Sequence, residues 1–304
     1  MNIIDGDFVV GCNKFPIDGL NEWEVLEAGA GVPALTGSQL PTNIVPAQAL
    51  RKVMDDAVSN GFTVLRAWAH GVTQQYATMT APGKFNEALL RGLDYALVQA
   101  RERGLKVILS FASNWTPAGG VDFYANATGV SHNDFFTNEA TKSLYKSYID
   151  AIVTRVNTIS GVKYSEDPTI FAWDLLNEPV CRGCPKGTIA TWVKEMAAYV
   201  KSLDTNHLLT VGEEGFYSTT QASIPFNPMY GQPGGTWAEE WGQDFVADHS
   251  DSNIDYASFH AWPDLWSCQA GCDALSVDFV QKWIDQHEKG RQKVDRDRLL
   301  ASSE

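Results

Sequence analysis

Positive charge is scarce in this chain. Its 304 residues carry 23 Lys and Arg against 37 Asp and Glu, a formal net charge of -14. Nucleic acids and anionic membrane surfaces select basic patches, so this balance argues against a polyanionic partner and favours a neutral one. Long apolar runs are missing too: no stretch reaches the roughly 18 residues that a membrane-spanning helix needs. The start, Met1-Asn-Ile-Ile-Asp-Gly-Asp7, lacks a charged leader followed by an apolar segment, so no signal peptide is visible. Only 5 cysteines occur. Four of them form close pairs, Cys181 with Cys184 and Cys268 with Cys272, while Cys12 lies in an apolar segment and reads as a buried free thiol.

What is present alternates. Strand-like segments over Phe8–Asn13, Phe62–Arg66, Leu105–Phe111, Thr169–Asn177, His207–Gly212, Ile254–His260 and Arg298–Glu304 are separated by helical patterns. The helices are expected over Pro46–Asn60, Asn86–Arg103, Glu139–Asn157, Thr188–Leu203, Trp237–Ala247 and Val277–Glu288. Such a rhythm predicts βα units on a parallel sheet, with Gly61 and Gly104 as helix C-caps leading into the next strands. With 44% hydrophobic residues the chain can fill one large core. The expected fold is an α/β chain, a (β/α)8 TIM barrel occupying 1–304 as a single domain, with its eighth βα unit missing from this chain.

The carboxyl ends of those strands collect Asn13, Arg66 with Trp68, Asn114 with Trp115, Asn177 with Glu178, Glu213 with Glu214, His260 with Trp262, and Glu304. A doubly wound sheet would not usually load polar groups on so many strand ends. Amides and carboxylates hydrogen-bond sugar hydroxyls, and indole faces stack on the apolar faces of pyranose rings. Each residue also has a plain structural reading: Arg66 as a buried ion-pair partner, Trp68 and Trp115 as core filler, His260 as a satisfied structural histidine. Their convergence on one rim favours a site.

The most informative segment is Thr169-Ile-Phe-Ala-Trp-Asp-Leu-Leu-Asn-Glu-Pro179. A fully apolar strand shelters no charge, so Glu178 must emerge at its end, and Pro179 forces the chain out of the sheet directly afterwards. A carboxylate placed there suits chemistry better than packing, although pairing with a barrel arginine is the alternative.

Together with Ser110-Phe-Ala-Ser-Asn-Trp115, Gly119-Gly120, Val200-Lys-Ser-Leu-Asp-Thr-Asn-His-Leu-Leu209, Glu214-Gly-Phe-Tyr217 and His260-Ala-Trp-Pro-Asp-Leu-Trp266, this segment resembles glycoside hydrolase family 5. Within the family the likeness is to the plant and fungal endo-β-1,4-mannanases. The resemblance implies retaining hydrolysis of mannan, glucomannan or galactomannan by two glutamates, without metal or organic cofactor, by an extracellular protein. A monomer is expected, with a β-1,4-mannan-type polysaccharide or oligosaccharide as its partner. Glu178 would be the general acid/base, Asn177 the residue on the 2-hydroxyl of the cleaved sugar, Arg66 a support for the nucleophile and His260 its neighbour. Aligning from Phe279 places Glu304, the last residue, at the nucleophile's position. Trp68, Asn114, Trp115, Glu214 and Trp262 complete the implied substrate-binding set.

Two departures stand out. Trp262 replaces a customary tyrosine and offers one donor where a phenol both donates and accepts. Val180 replaces a customary arginine, with Arg182 two places on. Competing readings are an endo-β-1,4-glucanase on the same barrel, a non-catalytic oligosaccharide-binding fragment, and a metal-thiolate protein using the four paired cysteines. Each cysteine pair follows a strand end, however, and suits a short loop disulfide. Such pairs fit an oxidising compartment, as do the acceptor patterns Asn114-Trp-Thr116 and Asn126-Ala-Thr128, of which Asn126 is the expected glycan site.

Overall fold

The computed structural model describes residues 2–4, 6–35, 37–218, 222–231, 235–266 and 273–301. The chain opens with a small antiparallel sheet, β1 (Asn2–Ile4), β2 (Asp7–Val10) and β3 (Asn13–Lys14). The parallel sheet begins at β4 (Gly19–Asn21), followed by α1 (Val25–Gly29) and α2 (Pro46–Ser59). It continues through β5 (Val64–Trp68), a short hairpin of β6 (Met79–Ala81) and β7 (Lys84–Phe85), and α3 (Glu87–Glu102). Next come β8 (Lys106–Ser110), α4 (Val121–Thr128), α5 (Glu139–Val153), β9 (Ile170–Asp174), α6 (Thr188–Leu203) and β10 (Leu208–Thr210). The remaining helices are α7 (Trp237–Glu240), α8 (Phe245–Asp248), α9 (Pro263–Trp266) and α10 (Asp273–Ala301).

The parallel order is β4-β5-β8-β9-β10, so each strand lies beside its predecessor across an intervening helix, the arrangement of a βα barrel. Helix starts are set by local chemistry. Pro46 occupies the first turn of α2, and the side chains of Asn86 and Asn138 accept from Leu89 N and Thr141 N to cap α3 and α5. The main core packs the sheet against α1 to α6. Inside the sheet, the tilted rings of Phe8 and Phe15 from the opening hairpin pack on Phe171 with centroids at 5.2 and 6.1 Å, and Tyr256 closes the group. This plugs the sheet near the start of β9, away from Glu178.

Four expectations are corrected. Phe8–Asn13 is not the first barrel strand. It turns back on itself as β2 and β3, and Cys12 in that turn is exposed rather than buried, while Asn13 stands apart from the rim. Ile254–His260 runs beside β10, with Asp255 N donating to Leu209 O at 2.9 Å, but forms no regular strand. Side chains take the ladder's place there: Leu209 N donates to Asp255 Oδ2 and Thr210 Oγ1 to Tyr256 O. The helix expected over Trp237–Ala247 is broken into α7 and α8 at Gly242, whose φ is 83°. Finally, α10 runs through Ala301 where a strand was expected from Arg298. No proline or turn signal interrupts that polar, helix-favouring run, and pairs such as Lys282–Asp278 and Arg291–Glu288 support it, so the Leu299-Leu300 doublet alone cannot redirect it.

Candidate active site

Beyond Asp174 the β9 chain stays extended between its neighbours. Leu175 N and Leu176 N donate to Thr210 O and Val211 O, Asn177 N to Ala112 O at 2.9 Å, and Glu178 N to Gly212 O at 2.8 Å. Glu178 then adopts φ 58°, left-handed geometry that residues other than glycine rarely take and that costs about 1–3 kcal/mol. The surrounding ladder holds it there, and the strain swings its side chain onto the rim.

The carboxylate is gripped on both oxygens. His260 Nδ1 lies 2.7 Å from Oε1, Trp262 Nε1 donates to the same oxygen at 3.3 Å, and Trp115 Nε1 donates to Oε2. Burial pushes the Glu178 carboxyl up, but the hydrogen bond and charge of His260, with the two indole N–H groups, outweigh it and hold it below its usual range. Glu178 therefore rests ionised. A cavity of about 290 Å³ opens beside it, lined by Trp115, Trp241, Trp262, Leu265, Trp266, Glu178 and Glu214.

Arg66, near the end of β5, places Nε and Nη2 on Asp174 Oδ2 at 3.1 and 2.6 Å and gives a further bond from Nη2 to Asn177 Oδ1 at 2.9 Å. Asn177 Nδ2 in turn donates to Ser113 Oγ at 3.2 Å. The plain ion-pair reading of Arg66 is thus realised on Asp174, and the same fork orients the amide next to Glu178. Glu214 is buried, accepts from Gln243 Nε2, and is driven well above the carboxylate range by burial and by the charge of Glu178. Glu213 is wholly buried beside Asp248 and His249, behind the rim rather than on it.

Trp68 packs between Trp23 and His70, with ring centroids at 5.9 and 5.0 Å, and is not among the residues lining the cavity beside Glu178. Asn114 is buried and bonds His132, whereas its neighbour Trp115 is half exposed. The structure therefore brings Trp115, Glu178, Glu214, His260 and Trp262 into one site, with Arg66 and Asn177 behind them. Sequence reasoning missed Gln243, which joins Glu214 to Pro179 O, and also Trp241, Trp266, Asp122 and His132. Of these only Trp266 lies in a quoted motif, the segment 260–266; the others lie at no strand end and in no short motif, so only tertiary packing reveals them. Arg182 sits over the Trp241 ring at 5.4 Å, a cation–π contact at the cavity wall.

A family model described as "GH family 5 beta-mannosidase-like" matches residues 2–298. The chain belongs to this family. Mannan endo-1,4-beta-mannosidase 7 of Arabidopsis thaliana is 42% identical over 79% of this chain and 55% of its own length. Mannan endo-1,4-beta-mannosidase 1 of Oryza sativa subsp. japonica is 36% identical over 93% of this chain and 71% of its own. The chain thus spans between about half and seven-tenths of the length of these curated relatives. Among solved structures, the endo-1,4-beta-D-mannanase of Thermotoga petrophila superposes with a TM-score of 0.77 at 31% identity, covering 92% of this chain and 76% of that one. The endo-1,4-beta-mannanase of Rhizomucor miehei gives 0.73 at 28%, covering 94% and 77%. The α/β barrel class expected from the sequence holds.

Trp262 sends its N–H to Glu178, and His260 Nδ1 faces the same carboxylate oxygen. Glu304 lies outside the described residues, as do Cys268 and Cys272. Cys181 and Cys184 form a disulfide with a Cα–Cα distance of 5.5 Å, so the four-thiolate metal reading loses two of its ligands. No described helix is long and apolar enough to cross a membrane.

Proposed function

We propose that this family 5 chain is a retaining endo-β-1,4-mannanase with Glu178 as its general acid/base. Its relatives are named for endo-hydrolysis of mannan, and the observation that carries the reading is a strained, two-sided carboxylate at a strand end facing an indole-lined cavity. Indole faces stack on pyranose rings, and the cavity accommodates about one sugar beside Glu178. Glu214, on the same cavity wall, offers its carboxyl group to a sugar hydroxyl. Asn177, turned by Arg66, offers the amide expected at the 2-hydroxyl of the cleaved sugar.

A retaining mechanism needs a second carboxylate about 5–5.5 Å from the first. We assign that role to Glu304 from the sequence. A negative nucleophile beside Glu178 raises the latter's pKa, so that Glu178 carries the proton for leaving-group departure. Once the nucleophile is esterified by sugar, that charge is gone and the His260, Trp115 and Trp262 donors favour ionised Glu178. This is the base form required to activate water. The Cys181–Cys184 disulfide supports an oxidising, extracellular setting.

Reducing-sugar release from mannan, glucomannan and cellulose substrates tests the proposal. Hydrolysis of mannan that falls at least about 100-fold in Glu178→Gln supports it. Cleavage of glucan but not mannan, or oligosaccharide binding without turnover in the unmodified chain, overturns it.

A further inference from the structure

Asn114, His132 and Asp122 form a chain of side chains that begins one residue from Trp115 on the cavity wall. His132 Nδ1 lies 2.7 Å from Asp122 Oδ1, and Nε2 lies 3.0 Å from Asn114 Oδ1. The Asn114 backbone is fixed, with N donating to Asn177 O at 2.9 Å, and the next residue is Trp115, whose indole grips Glu178. The Asn114 amide nitrogen has no hydrogen-bond partner among the described residues, so this end of the amide is unclaimed by the protein.

A carboxylate accepts and cannot donate, so His132 Nδ1 carries a hydrogen toward Asp122. The role of Nε2 then depends on the charge of the ring. An imidazolium donates from Nε2 and takes the amide oxygen, the observed orientation. A neutral ring presents a lone pair there and takes the amide NH2 instead, turning the Asn114 carbonyl outward.

We propose that His132, steadied by Asp122, is a positioning residue that decides which end of the Asn114 amide meets a sugar hydroxyl. Its proton switches this contact from an acceptor to a donor. The proposal rests on the reading of the cleft as a mannan site. Charged groups around the ring are accounted for. Asp122 comes from α4, and Asp134, in the same turn as His132, is held by Ser131 N and Oγ at 3.0 and 2.6 Å. Between α5 and α6, Lys142 pairs with both Glu139 and Glu195, and Arg182 lies over Trp241. Asp122 is the charge bonded to the ring.

The test follows the Asn114 side-chain amide and the His132 ring nitrogens by NMR in the Glu178→Gln protein from pH 4 to 9. The same protein is titrated with mannotetraose by calorimetry. The expected result is that the Asn114 amide signals move with the His132 titration and that the Kd changes about fivefold or more across the same range. Both effects should vanish in the Glu178→Gln/His132→Gln double variant. Amide signals that stay constant while His132 titrates, or an unchanged pH dependence of Kd without His132, overturn the proposal. Amide signals that follow the ring with no mannotetraose bound at any pH uphold the amide switch and overturn the mannan reading instead.

Discussion

Trp262 Nε1 donates to Glu178 Oε1 at 3.3 Å, beside His260 on the same oxygen. An indole has a single donor and no acceptor, and that donor bonds an ionised carboxylate more strongly than a protonated one, so the contact favours the ionised form. Replacing Trp262 by Phe removes one of the influences that lower the Glu178 pKa and leaves burial, which raises it, in place. In a retaining glycosidase the alkaline limb of kcat/KM reports the proton on the acid/base. That limb should therefore move to higher pH in Trp262→Phe, and a profile between pH 4 and 9 checks it. An unmoved limb would mean that Trp262 serves only as a wall of the cavity.

Arg66 serves two partners at once, and the prediction separates them. Asp174 is almost fully buried and Arg66 is largely so, which makes the loss of the guanidinium costly: an uncompensated buried carboxylate, worth about 3–5 kcal/mol. Arg66→Ala should show that loss in urea unfolding. Arg66→Lys keeps a charge but not the fork, so it should recover much of the stability while Asn177 loses its orientation and kcat/KM stays low. Equal losses of stability in both variants would argue against this division.

Glu24 and Glu27, at the start of α1, are buried carboxyls pushed by burial up to about 7 and about 8 from a usual 4.5. Between pH 4.5 and 8 the unfolded chain gives up these protons while the folded chain keeps them. Their contribution to stability is full below the unfolded value and declines as pH rises through the folded values. Glu27→Gln retains the acceptor for Val72 N and has no proton to lose. Urea midpoints at pH 5 and 8.5 should therefore differ less in Glu27→Gln than in the unmodified chain, by an amount on the order of 1 kcal/mol or more.

Much of this was legible in the sequence where a signal was local. The apolar run ending at Glu178-Pro179, the helix over Thr188–Leu203 and the glycine caps at Gly61 and Gly104 each follow from residues adjacent in the chain. Failures came where neighbours in space decide. Phe8 reads as a barrel strand until Phe171 and Tyr256 claim its ring, and Ile254–His260 loses its ladder to the Asp255 carboxylate. At the site, Glu178, His260 and Trp262 stand in recognisable motifs. Asp122 and His132 belong to no strand end, and only the fold sets them against Asn114.

Gly212 offers a test of how tightly the backbone around Glu178 is built. Its φ is 89°, its carbonyl receives Glu178 N at 2.8 Å, and a Cβ there would lie 2.0 Å from Asp174 Oδ1. Gly212→Ala must therefore carry both a left-handed alanine and a collision with the residue that anchors Arg66. Gly61 has a similar φ of 86° and nothing within 4 Å of where a Cβ would stand, so Gly61→Ala reports the conformational cost alone. That cost should be on the order of 1 kcal/mol. Gly212→Ala should lose more stability than Gly61→Ala, and it should also lose activity on mannan, since shifting Glu178 by about 1 Å costs about 100-fold in rate. Thermal unfolding and kcat/KM of the two variants decide the matter. Matching losses of stability with intact turnover would show that the Asp174 carboxylate moves aside freely and that Glu178 does not depend on its strand neighbour for position.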